Sequence, residues 1–205
     1  MQLGYGKPMP ADNQRPHTGR RRNEAAREAI IEAAIRLLAE QGYEDFAMER
    51  LAEEAGVGKQ TVYRWWPSKA AVVAEAVTTR AQNTIPLPDT GTVLGDLAEF
   101  FRTTFAESAN SATVSLIKQM MAASLHSPQA AEPFHGFLAE RRQQLRVPLE
   151  RGVARGELSP EADLDFLTDL AYGLLWYRGL VGHRPLDDET ASQLADALVA
   201  AGKSQ

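Results

Sequence analysis

The sequence predicts an all-α protein in two units: a small N-terminal three-helix unit containing a helix-turn-helix, and a larger C-terminal helical unit. Three observations predict it. Apolar residues recur at three-and-four spacing along most of the chain, with glycine and proline between the runs. No stretch alternates like a strand, and no internal repeat is found. The stretch NTIPLPDTGT, with two prolines, reads as a boundary. It divides the chain into an arm at 1–19, one unit at 20–82 and another at 83–205.

The arm holds three prolines, three glycines and little that could form a core, so disorder is expected there. Helical spacing starts near Arg20. In NEAAREAIIEAAIRLLAEQG, the residues Ala26, Ile30, Ala33, Ala34, Leu37 and Leu38 share a face, and Gly42 is a natural stop. A short helix follows with Met48, Leu51, Ala52 and Ala55 on one side, broken by Gly56. A second short helix is expected over 58–66, closed by Pro67. Pro67-Ser68 opens a fourth helix, from 68 to about 82. In the larger unit, helices are expected at roughly 92–108, 111–126, 129–155, 161–181 and 188–201. Pro148 falls inside the third of these, where a kink or split is expected.

Composition narrows the function. The 205 residues are 44% apolar and 24% charged, and are enough to bury a core. With no cysteine, disulfides, Cys-based zinc sites and a thiol nucleophile are excluded. No apolar run reaches the roughly 18 residues that cross a bilayer, and no apolar leader stands at the N-terminus. A cytoplasmic protein without a membrane partner is expected. Net charge is −5, yet residues 1–27 carry six Lys/Arg against two acids, leaving −9 for the rest. A basic head on an acidic body suits contact with a polyanion at one end.

The stretch AGVGKQTVYRWWPSK concentrates the chemistry. On a helical wheel Val62 and Trp66 fall together, with Gly58 and Trp65 beside them. Gln60 and Arg64 fall opposite, flanked by Thr61 and Tyr63. Arginine pairs bidentately with guanine and glutamine with adenine, while hydroxyls and cations hold phosphates. A helix, a glycine turn and this helix make a helix-turn-helix whose second helix enters the major groove of double-stranded DNA. Lys69 is placed to reach a phosphate. Arg20, Arg21 and Arg22 are placed to follow the backbone or enter the minor groove. The alternative is an ordinary surface helix, since amphipathic helices with polar outer faces are common.

The stretch IIEAAIRLLAEQGYEDFAMERLAEEAGVGKQTVYRWWPSKAAVVAEA resembles the DNA-binding domain of TetR-family transcriptional regulators over roughly residues 23–77. The resemblance implies that Thr61, Tyr63 and Lys69 contact phosphate, and that Lys59, Gln60 and Arg64 choose sequence. It puts Trp66 at a buried aromatic position and Trp65 near the backbone. It departs at Phe46-Ala47, where the family commonly has Thr or Ser. Ala47 can neither cap the second helix nor touch phosphate; Asp45 is the available cap, and it would repel phosphate.

For the C-terminal unit the resemblance implies ligand binding and dimerisation. The expected lining of an effector pocket is Phe101, Phe105, Met120, Met121, Leu125, Phe134, Phe137, Phe166, Tyr172 and Trp176, of a chemistry that suits an adaptable apolar site; the alternative is plain core. The run LDFLTDLAYGLLWYRGLV is apolar on nearly all sides, and TASQLADALVAAG offers a second stripe. A homodimer interface is expected from Leu167, Leu170, Leu174, Leu194 and Leu198, with a monomer core as the alternative. His126 and His135 flank a proline-containing loop but lack a carboxylate cluster, so no metal is expected. ERRQQLRVPLERGVARG reads as a solvated face. With no catalytic constellation, no glycine-rich phosphate loop and no cofactor motif, the expectation is not an enzyme but a ligand-responsive DNA-binding regulator with an unknown small-molecule effector.

Overall fold

The computed structural model describes residues 18–85, 87–108 and 111–203, with side chains from 24 onward and, after the second gap, from 114. The arm therefore lies outside the described residues, apart from its last two positions. Among the described residues there are nine helices and no strand: α1 (Thr18–Gln41), α2 (Met48–Glu54), α3 (Lys59–Trp65), α4 (Lys69–Thr84), α5 (Val93–Ser108), α6 (Ser111–His126), α7 (Pro128–Ala154), α8 (Leu164–Val181) and α9 (Asp188–Lys203).

Local chemistry sets the ends. The Ser68 hydroxyl accepts the Ala71 N–H at 3.2 Å to start α4. Asp163 does the same for α8, accepting from Asp165 at 3.1 Å and Phe166 at 3.0 Å. That cap starts α8 three residues later than the spacing suggested. Gly182 closes α8 with φ +67°, a left-handed conformation that a side chain would oppose. The helix α7 runs from Pro128 to Ala154 without splitting, through Pro133 and the buried Pro148. A single proline removes one backbone donor, and here Leu145 and Leu149, both fully buried beside it, hold the helix in place.

The first core joins Ile30, Ala33, Ala34 and Leu37 of α1 to Leu51, Val62, Trp66, Val72 and Val73, and continues into Leu116 and Met120 of α6 and Phe134 and Phe137 of α7. The small unit is thus seated on α6 and α7. The second core is built from Phe100, Phe101 and Phe105 of α5, Leu145 and Leu149 of α7, Leu167 of α8, and Leu194 and Leu198 of α9. A Cβ on Gly202 would lie 2.8 Å from Leu158 Cδ2, so glycine permits the close seating of α9 there. The helix α4 packs on both α1 and α7 and so spans the two cores.

Candidate nucleic-acid interface and internal cavity

The helix α2 begins at Ala47, which has extended backbone (φ −117°, ψ 137°) and caps nothing with its side chain. Asp45 does not replace it: no side-chain cap bond is made to this helix. The turn that follows needs Gly56, at φ +64°, and is closed by the Val57 N–H donating to the Ala52 carbonyl at 3.0 Å. This aims α3 with Val62 and Trp66 into the core and Lys59, Gln60, Tyr63, Arg64 and Trp65 outward. Thr61 lies half-buried at the edge. The outer face therefore carries the amide, guanidinium and phenol expected from the wheel. Lys59 is held by an ion pair to Glu49 of α2, whose carboxyl is lowered first by that side-chain bond.

Behind this face, Trp66 Nε1 donates to Glu75 Oε2 at 2.8 Å. The other Glu75 oxygen pairs with Arg27 of α1, whose guanidinium lies 5.9 Å from the ring centres of both Trp65 and Trp66. Lys69 takes a different direction from α3. Its Nζ donates to the Glu44 carbonyl at 3.1 Å and sits 4.4 Å from the Tyr43 ring, and burial lowers its pKa against the pull of Asp45 and Glu44. Arg20, Arg21 and Arg22 fall on the first turns of α1, but their side chains lie outside the described residues.

A cavity of about 540 Å³ lies between α1, α4, α5, α6, α7 and α8. Its walls are largely apolar, from Leu38, Leu116, Ile117, Leu138, Leu175 and Trp176, with Thr104, Arg80, Glu107 and Arg141 among them. The Tyr172 hydroxyl donates to the Arg141 carbonyl at 2.7 Å; burial pushes this phenol up, with Arg141 opposing.

Two family models match the chain. Residues 30–76 match the bacterial regulatory proteins of the tetR family, and residues 87–198 match the tetracyclin repressor-like C-terminal domain. The chain is 34% identical, over 86% of its length and 89% of the relative's, to the uncharacterized HTH-type transcriptional regulator YdeS of Bacillus subtilis. It is 28% identical to the DNA-binding transcriptional repressor TetR of Mycobacteroides abscessus, over 85% of this chain and 92% of that one. The crystal structure of the TetR family transcription regulator SCO0332 superposes with a TM-score of 0.80 at 26% identity, covering 86% of this chain and 97% of that one.

The chain belongs to the TetR family of transcriptional regulators.

It is therefore a DNA-binding regulator and not an enzyme. Among the described residues no helix is long and apolar enough to cross a membrane. The helix-turn-helix of this TetR-family chain is α2–α3, inside the matched N-terminal segment, and the cavity lies largely within the C-terminal one.

Of the ten residues expected around an effector, Phe137, Tyr172 and Trp176 line this cavity. Phe134 stacks on Phe137 and meets the Trp176 ring edge-on, one layer behind. Met120 is buried in the first core and Met121 packs against it. Phe101 and Phe105 are buried in the second core, away from the lining. Leu125 and Phe166 are exposed, at 77% and 55%. Spacing missed the polar lining. Arg141 belongs to the run read as a solvated face, yet it is only 6% exposed. Its neighbours Arg142 and Arg146 are tied to α8, with Arg146 Nη1 2.7 Å from Asp165 Oδ1 and Arg142 paired to Asp169. Those two arginines stay part-exposed on the surface of α7, whereas Arg141 turns inward to Gln144, Thr104 and Phe100.

The leucines expected at a dimer interface divide by helix face. Leu167, Leu194 and Leu198 are buried within the protomer, where α8 and α9 pack on α5 and α7. Leu174 is half-buried and Leu170 is 43% exposed. The helix α8 is thus not covered on all sides by its own chain: Phe166, Leu170, Tyr177 and Val181 form an outward stripe at helical spacing.

Proposed function

We propose that this regulator is a repressor that binds a pseudo-palindromic operator as a homodimer and is released by a small apolar or amphipathic effector. The observation that carries the reading is the position of α4. Glu75 of α4 holds Trp66 at the end of α3, while Ala76, Val77, Arg80 and Ala81 of the same helix line the cavity. A ligand that favours a shifted α4 would move the recognition helices off their spacing, and DNA would be released in proportion to the differential affinity. The apolar stripe of α8 is the surface that would pair two protomers, and reading the two half-sites of one operator requires their α3 helices about 34–36 Å apart, one DNA turn. The repressor named among the relatives supports the sign of the response.

Selection of bound duplexes from a random DNA pool, with the winners titrated at two salt concentrations, tests this. The expected result is an enriched inverted repeat bound with a steep salt slope. Weak salt-sensitive binding with no enriched motif would mean that cationic residues hold DNA without reading it, and would overturn the proposal.

A further inference from the structure

We infer that the effector is an organic anion, and that Arg141 receives its charged group. This rests on the ligand-responsive reading above and deepens it. Arg141 lines the cavity and is only 6% exposed. Its Nη1 donates to the amide oxygen of Gln144, its Nη2 lies 3.4 Å from the Thr104 hydroxyl, and its guanidinium carbon lies over the Phe100 ring, 5.4 Å from the ring centre. Each of those partners is neutral, and among the described residues no carboxylate lies within ion-pair distance of Arg141. A guanidinium has five N–H donors. A buried one without a counter-charge is held at a desolvation penalty that an incoming anion relieves.

The surroundings favour the same charge. Thr104 and Glu107 stand three apart on α5 and so share a face. Arg141 reaches the first, and Arg80 Nη2 lies 3.6 Å from Glu107 Oε2. The two cations therefore converge on one wall. At 3.6 Å that ion pair is longer than a hydrogen bond, and Arg80 Nε is buried with no hydrogen-bond partner among the described residues. Asp169, the remaining lining carboxylate, is already occupied by Arg142. With Lys118 of α6 also on the lining, cations outnumber carboxylates around a largely apolar space of about 540 Å³. That fits one carboxylate or sulfonate on an apolar body. It does not fit a neutral hydrocarbon, which would leave the guanidinium unpaired, or a cation, which it would repel.

Two fluorescent probes of nearly one skeleton test this on the full-length protein: anilinonaphthalene sulfonate, an anion, and N-phenylnaphthylamine, which lacks the sulfonate. The expected result is saturable binding of one dye per protomer, with the sulfonate bound about tenfold more tightly or better. Arg141→Met should bring the two affinities together while leaving the melting temperature unchanged or higher, since an apolar replacement removes the buried charge. Arg141→Lys, which keeps the charge but loses the fork, should retain part of the preference and serves if the methionine variant misfolds. Equal affinities in the wild-type protein, or a sulfonate preference that neither substitution diminishes, would overturn the inference and leave a ligand cavity of another specificity. No saturable binding of either dye would overturn the ligand-responsive reading itself.

Discussion

Trp66 and Glu75 are joined by a 2.8 Å hydrogen bond that ties the end of the recognition helix to the helix lining the cavity. Trp66 is only 3% exposed, so its N–H has no access to bulk water to replace that partner. Glu75→Ala therefore strands a buried donor and also removes the partner of Arg27. It should cost about 1–3 kcal/mol in urea unfolding. Trp66→Phe removes the donor itself and should cost less from the lost bond, about 0.5–1.5 kcal/mol. If Glu75→Ala is as stable as the wild type, the bond does not couple the two helices.

The two faces of α3 should separate cleanly under mutation. Arg64 and Gln60 point outward, whereas Val62 is fully buried. Arg64→Ala should weaken binding to the selected duplex by about 1–3 kcal/mol, as for a lost bidentate base contact, and relax preference at that base pair. Its unfolding free energy should change by less than its binding free energy. Val62→Ala should do the opposite, costing a fraction of the roughly 1.5–3 kcal/mol that burying a whole valine contributes. Arg64→Ala binding all sequences as before would sink the assignment of α3 as the reading helix.

Asp96 gives the stability an acid limb. It is fully buried at the start of α5, and burial alone would raise its carboxyl. The Thr90 N–H at 2.6 Å, the Thr90 hydroxyl at 2.8 Å and Arg155 Nη2 at 3.0 Å outweigh that and hold it below the usual carboxylate range. A folded-state pKa below the unfolded value of about 3.9 stabilises above that value, and the gain is lost as pH falls through the folded one. Asp96→Asn should thus be less stable at neutral pH by about 1–3 kcal/mol, with the two unfolding curves converging in acid. A difference that stays constant from neutral pH into acid would show that charge is not what Asp96 supplies.

Much of the helix pattern was legible because its causes are local. Gly56 must turn, Ser68 must cap, and Val62 with Trp66 must face inward if Gln60 and Arg64 face out. The cavity was only partly legible. Spacing says that Phe105 and Phe137 are both inside, but only the packing of α5 against α9 and of α4 against α7 decides that the first fills a core and the second lines a space. Arg141 was misread for a related reason. Its charge argues for solvent, and what draws it inward is the company of Gln144, Thr104 and Phe100, the last two on α5, about forty residues away in sequence. Lys69 shows the same limit: its position was readable, whereas its engagement by Glu44 and Tyr43 depends on how α4 meets the α1–α2 corner.

The stripe on α8 makes the last prediction. Leu170 and Leu198 were expected together at an interface, yet they stand on opposite sides of the packing, 43% and 1% exposed. Leu198 fills the second core with Leu194 and Leu167, so Leu198→Ala should leave a cavity and cost about 2–5 kcal/mol of stability. Leu170 touches no such core and lies beside Phe166, Tyr177 and Val181, an apolar surface that a lone soluble protomer would leave in water. Leu170→Asp places a charge in the middle of that stripe. If two copies of α8 meet there, the carboxylates must be desolvated and face each other, which should shift sedimentation from dimer to monomer. Because the side chain is already exposed in the protomer, helical content should be unchanged. The loss of dimer should also weaken operator binding, since each half-site must then be held alone. A Leu170→Asp protein that sediments as an undiminished dimer would place the interface on another face, and the operator spacing would have to be derived from that face instead.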